Sequence, residues 1–329
     1  MSVIVTRAPL RVALGGGGTD LPSHYRRRGG FVVSAAIDKY VHMVTSLGVR
    51  PRYVLKHLEV EEVDSPEEIR HPILRAALSN HWDGRPLEIA STSDVPPGTG
   101  LGSSGAYTVC VLKSLELAAG RDSTPGELAE AACEIEIDVL RRTVGKQDQY
   151  AAAHGGVRAY EFKQDDSVDV RRLELSPEVC TALRDEFLLF YTGKERSASD
   201  VLSHQVNRTL AGDQEVERNL ERTEQLARES CAALEAGELE RLAELMDQQW
   251  EVKRGRAPGA VPVEVEELRD TAKGAGGLGV VLVGAGGGGF LLVYTRAPEE
   301  TRAAMAEAGA PELGFDVDEE GCTGLTPQP

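Results

Sequence analysis

The chain has 329 residues, 41% hydrophobic and 27% charged, a balance that excludes wholesale disorder and leaves room for two domains or one large one. Acids outnumber bases 53 to 36, a formal charge of −17, and no Lys/Arg cluster is large enough to hold nucleic acid by its phosphates. No apolar run reaches the ~18–20 residues of a membrane helix. No charged n-region with an apolar h-region opens the chain, so no signal peptide is expected. Five cysteines without a C-x-x-C pair fit a reducing, cytoplasmic compartment better than a disulfide framework or zinc knuckle.

In chain order, residues 3–5 read as a strand leading to Arg11 and the run 15–18, four glycines followed by Thr19 and Asp20. Strands are predicted at 31–37, 40–46 and 87–91 from β-branched runs bounded by Gly, Pro or charge. A glycine-rich stretch, 98–105, feeds a helix predicted over 106–119 that stops at Gly120. Thr124-Pro125-Gly126-Glu127 is a capping box with proline at the first helical position, and that helix is read to about Arg142. Strands follow at 157–162 and 187–191. Helices are predicted at 213–236, 238–251 and 263–274, then strands at 279–283 and 290–294. The polar stretch 163–169 is read as a seam, dividing the chain into domains 1–169 and 170–329. The tail beyond about Glu320 is expected to fray. The mixture is α+β or α/β, without internal repeats.

Three glycine segments carry the chemistry. Pro97, Gly98, Gly100, Leu101, Gly102, Ser103, Ser104 and Gly105 run straight into a helix, so backbone N–H groups and the positive end of the helix dipole face an anion there. The two hydroxyls can bond a phosphate or ligate Mg2+. The segment is not a Walker A loop, since no G-x-x-x-x-G-K-[ST] occurs. Residues 284–289 formally contain G-x-G-x-x-G, but an apolar strand follows instead of a helix, so the dinucleotide-binding reading fails. Such a loop between strands can still line a phosphate or let two backbones approach. The third segment is APLRVALGGGGTD, residues 8–20.

Together the three segments resemble the motifs of the GHMP kinases, in order and separation, over nearly the whole chain. PPGTGLGSSGAYTVCVL is the most specific. APLRVALGGGGTD, GKQDQYAAAHGG (145–156), TGKERSASDVL (192–202) and the stretch before the third motif are similar to the sugar-kinase branch acting on D-glycero-D-manno-heptose 7-phosphate. The resemblance implies an α+β, two-domain fold. Its N-terminal half would be like ribosomal protein S5 domain 2 and its C-terminal half ferredoxin-like, with ATP and substrate meeting between them. It implies transfer of the γ-phosphoryl group of ATP to a sugar hydroxyl, the anomeric C1 hydroxyl in this branch, by a monomer or homodimer.

Carried over residue by residue, the resemblance makes Asp148 the catalytic aspartate and Arg11 the positive charge beside it. Aspartate is a weak base, so positioning and electrostatics should carry most of the catalysis. The 97–105 segment would hold ATP. Ser104 and Glu136 would hold Mg2+, with Ser103 close behind Ser104 and Glu134 the rival of Glu136. Two residues apart on a helix, those glutamates project ~200° apart and cannot face one ion together. Gly17, Gly18, Thr19, Asp20, Lys146, Gly286 and Gly287 would meet the acceptor. Lys146, Arg26–Arg28, Lys194, Arg196 and Lys253 are the candidates for binding a sugar phosphate. Two positions depart from the family. Galactokinase-like members carry Glu-His where this chain has Gly17 and Gly18, which weakens a galactose reading. Heptose-branch members often carry a lysine where this chain has Val281, which leaves the acceptor less defined than the reaction. A mevalonate-type acceptor, or a ligand sensor on the kinase fold, are the alternatives.

Overall fold

The computed structural model describes residues 3–48, 51–83, 85–194, 198–256 and 261–325. Its elements run β1 (Val3–Gly15), α1 (Pro22–Arg28), β2 (Gly30–Ser46), β3 (Tyr53–Lys56), β4 (Val60–Val63), α2 (Pro72–His81), β5 (Glu88–Ser93), α3 (Ser103–Ala118), α4 (Pro125–Cys133) and α5 (Gln147–His154). The hairpin β6 (Val157–Phe162) and β7 (Val168–Arg172) follows, then α6 (Pro177–Asp185), β8 (Phe187–Tyr191), α7 (Ala198–Leu210), α8 (Gln214–Ala236), α9 (Leu239–Arg256) and α10 (Val263–Gly274). The chain closes with β9 (Gly277–Leu282), β10 (Phe290–Thr295), α11 (Pro298–Glu307) and β11 (Thr323–Leu325).

An eight-stranded sheet is organised by β2. The two strands read from sequence at 31–37 and 40–46 are one strand that changes partner: it pairs β6 through its first half, β5 through its second, and β1 along nearly its whole length. Helices α3 and α8 pack on β1 and β2. The capping box at Thr124 forms as read. The helix it starts does not run to Arg142. It widens into a π-helical turn at Glu134–Val139, a distortion that often marks functional positions.

The second sheet has the order β8-β10-β9, all antiparallel. Alternate residues divide between two cores. Phe187, Leu189, Val281, Leu292 and Tyr294 join the large core, while Leu188, Phe190, Val280, Leu291 and Val293 pack with Trp250, Val265 and Met305. Both faces are largely covered, which is why these strands are apolar at nearly every position. Residues 311–313 lie along β8 through Tyr191 N–H to Pro311 O and Leu313 N–H to Leu189 O, a rudimentary fourth strand. Mixed helix and sheet in two layers match the two-domain α+β expectation.

Two expectations are corrected. The seam at 163–169 is the turn of the β6–β7 hairpin (163–167) and the first residues of β7, and residue 170 lies inside β7. The chain leaves the first sheet only after Arg172. The tail does not fray at Glu320. Gly321 donates to Asp318 Oδ1 at 2.7 Å, and β11 pairs β1 antiparallel through Val5–Leu325. Among the described residues no helix is long and apolar enough to cross a membrane.

Burial pushes His24, His71 and His154 down to about 4 from an ordinary 6.5. Below pH 6.5 the unfolded chain therefore binds protons that the native state refuses, so stability falls as pH drops toward 4. Thermal melts should show the melting temperature declining already between pH 6.5 and pH 5, before most carboxylates titrate. A flat profile there would mean these histidines are protonated in the fold.

Candidate active site

The 98–105 segment owes its shape to glycine. Gly98, Gly100 and Gly102 have φ of 79°, 83° and 78°, while the intervening Thr99 and Leu101 do not take positive φ. Backbone of alternating hand turns successive N–H groups to one side and forms an anion nest. The nest opens directly into α3, whose first N–H groups have no acceptor within the helix. Leu101 is fully buried and its carbonyl accepts the Arg11 N–H at 3.0 Å, so it anchors the loop to β1. Pro97 and Gly98 are exposed at the crest, and Ser103 and Ser104 are half-buried.

Asp148 lies at the mouth of this loop. A Cβ added to Gly102 would sit 3.1 Å from Asp148 Cγ, and one on Gly105 would sit 2.6 Å from Asp148 Cβ. Gly105 thus lets α5 press against the start of α3. Arg11 holds Asp148 with Nε at 2.9 Å and Nη2 at 2.7 Å from Oδ1, while its Nη1 donates to Gly100 O at 2.5 Å. One buried guanidinium therefore ties the carboxylate to the 98–105 loop.

Beside it, Ser104 Oγ donates to Glu136 Oε2 at 2.5 Å. Glu136 is fully buried at the π-helical turn, whereas Glu134 is exposed. Geometry thus favours Glu136 over its rival. Arg142 Nη1 donates to both Ser104 Oγ (2.6 Å) and Glu136 Oε2 (2.9 Å), and Gln149 Nε2 donates to Oε1 (2.9 Å). Neither Arg142 nor Gln149 was singled out from sequence; a charge six residues past Glu136 carried no signal by itself. One carboxylate and one hydroxyl beside an anion nest is a donor set that would suit Mg2+, an ion that takes its remaining ligands from phosphate and water. Glu136→Gln should raise the Mg2+ concentration for half-maximal activity by about tenfold or more. Glu134→Gln should leave it near wild type, and the reverse pattern in a metal titration would exchange the two residues.

The 284–289 loop is a β-hairpin connection, as its context required, and it rests on the phosphate loop. A Cβ on Gly284 would lie 2.7 Å from Gly100 Cα, and one on Gly289 would fall inside the Thr99 carbonyl oxygen. Gly286 and Gly287, with φ of 106° and 85°, form the turn itself. Gly289→Ala, at φ 96°, should lose about 1–3 kcal/mol of stability and weaken ATP binding together, measured by denaturant melts and nucleotide titration. Loss of neither would separate the two loops.

The first motif is more buried than expected. Thr19 is fully buried, its hydroxyl donating to Gly16 O and Phe31 O at 2.8 and 3.0 Å. It holds the loop and does not reach an acceptor. Asp20 accepts the N–H groups of Gly18 (2.9 Å) and Gln147 (3.2 Å), which joins this loop to the start of α5, the helix carrying Asp148. Burial first, and Asp148 second, push its carboxyl up. Gly18 is buried with its carbonyl on Gln205; Gly17 alone of residues 14–20 keeps partial exposure.

The cation candidates separate sharply. Lys146 is corrected: its ammonium bonds both Glu130 oxygens at 3.0 Å and Asp166 O at 2.8 Å, a buried tie between α4 and the β6–β7 turn. Arg26, Arg27 and Arg28 pair with Asp166, Glu217 and Glu221 as a surface charge run. Lys194 pairs with Glu264, and Arg196 lies outside the described residues. Lys253 turns inward, donating to Leu282 O and, at 2.7 Å, to Gly284 O.

Comparison with known proteins finds matches over both halves of the chain. The family model described as the GHMP kinases N terminal domain matches residues 71–156, and that of the GHMP kinases C terminal matches residues 230–311. The D-glycero-alpha-D-manno-heptose 7-phosphate kinase of Campylobacter jejuni is 28% identical over 307 residues, covering 89% of this chain and 90% of that one. The bifunctional fucokinase/GDP-fucose pyrophosphorylase of Arabidopsis thaliana is 25% identical over 317 residues, 89% of this chain but only 30% of its own length. In fold, the chain is similar to the crystal structure of a D-glycero-D-manno-heptose 1-phosphate kinase from Bacteriodes thetaiotaomicron. The TM-score is 0.80 at 24% identity, with 98% of each chain covered.

Proposed function

The chain belongs to the GHMP kinase family, and from that premise we propose that it is an ATP-dependent sugar kinase. Its acceptor is proposed to be the C1 hydroxyl of D-glycero-D-manno-heptose 7-phosphate or a related sugar. The observation that carries the reading is the Arg11–Asp148 pair seated at the mouth of the 98–105 nest.

The nest and the α3 N-terminus bind the triphosphate. Asp148 orients the acceptor hydroxyl and receives its proton as the new oxygen–phosphorus bond forms and the bond to the β,γ-bridging oxygen breaks. The products are the sugar phosphate and ADP. Arg11 keeps the carboxylate aimed and places fixed positive charge where charge spreads over the transferring group. Ser104 and Glu136 would hold Mg2+. When bound, that ion neutralises phosphate charge and helps align the phosphoryl group.

The kinase is proposed to act as a monomer or homodimer. Five free cysteines support a reducing, cytoplasmic setting. A mevalonate-type acceptor is less favoured because the similarity to a heptose 7-phosphate kinase covers more of the chain, and a silent sensor because the candidate base Asp148 with Arg11 and the candidate metal residues Ser104 and Glu136 are all present. The test is incubation with ATP, Mg2+ and a panel of sugars and sugar phosphates, read by mass spectrometry. One panel member should gain a phosphate as ADP appears, whereas ATP bound and never consumed would support the sensor.

A further inference from the structure

We propose that the cavity between the 15–17 glycine loop and α9 receives a phosphomonoester on the acceptor, with Lys253 and Arg256 as its cationic walls. The inference rests on the sugar-kinase reading and deepens it by fixing the acceptor's class.

The cavity has about 30 Å3 of accessible space and is lined by Gly15, Gly16, Gly17, Gln147, Lys253 and Arg256 among others. That is twice what one water needs. No residue of the 97–105 loop lines it, so it is distinct from the nucleotide's nest, yet Gln147 immediately precedes Asp148. Gly284, on the hairpin that rests on Gly100, lines it as well, so the cavity adjoins the reacting centre without belonging to the nest.

Its two cations are held but not neutralised. Lys253 directs two of its three N–H groups to the carbonyls of Leu282 and Gly284. Arg256, 8% exposed, donates to Gly17 O (2.9 Å), Thr223 Oγ1 (2.7 Å) and Asn219 Oδ1 (3.1 Å). Among the described residues neither forms an ion pair, in a chain with 17 more acids than bases. Burial and mutual repulsion push Lys253 down to about 7, with Arg11 adding to the effect. Burial likewise lowers Arg256 to about 10, against the opposing charge of Asp20. Buried cations without a counter-charge are costly, and an arriving dianion relieves that cost. The remaining feature is a buried acceptor without a partner, Gln147 Oε1, on a residue that lines the cavity and free to accept a hydrogen bond from a hydroxyl.

The test compares D-glycero-D-manno-heptose with its 7-phosphate. Wild type should prefer the phosphorylated sugar by about a hundredfold or more in kcat/KM, the scale of a desolvated charge pair. Lys253→Met should collapse that ratio at least about tenfold, and Lys253→Arg should restore most of it. A ratio near one in wild type, or one unchanged in Lys253→Met, would overturn the inference while leaving the kinase reading intact. Consumption of ATP with neither sugar would instead defeat the acceptor reading itself. Should Lys253→Met not fold, inorganic phosphate on the wild type decides. Inhibition competitive with heptose 7-phosphate and not with ATP supports the site; competition with ATP alone refutes it.

Discussion

Asp148→Asn is expected to lower kcat by roughly a thousandfold, within the 10²–10⁴ range of a positioned general base, while ATP binds almost as before. Asparagine preserves the shape that fits between Gly102 and Gly105. It removes both the proton acceptor and the charge that fixes the Arg11 fork at 2.9 and 2.7 Å. The nest is made of backbone from 98 to 102 and does not depend on the carboxylate. Steady-state kinetics and a nucleotide titration on the same variant separate the two effects. Turnover within a few-fold of wild type would remove Asp148 from the reaction.

Arg11→Ala should cut kcat/KM by about 10²–10³ and also raise the KM for ATP. The double effect follows from geometry, since one guanidinium serves Asp148 through two nitrogens and the phosphate loop through the third, on Gly100 O. Arg11→Lys should recover little. A lysine keeps the charge but offers a single ammonium where the site presents acceptors along both edges of a planar fork. A lysine variant close to wild type would reduce Arg11 to a point charge.

The features legible in the sequence were those written locally. The 98–105 segment announces its conformation because only glycine takes alternating positive φ cheaply, and the helix that follows is periodic. The capping box at Thr124 and the apolar strands of the second sheet are equally local. Asp148, Ser104 and Glu136 were named through family likeness, and the fold draws them from the first turns of two helices and a π-helical turn.

What was missed lies in long-range packing. Residues 163–169 look like a linker and are a hairpin turn, because β7 pairs with β6 through backbone groups that composition does not reveal. The Gly/Thr-rich tail is ordered by β1, more than three hundred residues away. Lys146 sits beside Asp148 in sequence, yet Glu130 and Asp166 draw its ammonium elsewhere. Arg256 and Arg142 are ordinary basic residues on charged stretches until the fold buries one and sets the other on Glu136.

The most direct measurement is a crystal structure with a non-hydrolysable ATP analogue, Mg2+ and D-glycero-D-manno-heptose 7-phosphate. The account predicts the triphosphate on the N–H groups of 98–105, the metal on Ser104 and Glu136, and the C1 hydroxyl within hydrogen-bond reach of Asp148. A triphosphate seated away from that loop, or a sugar hydroxyl that approaches it without meeting Asp148, would contradict it.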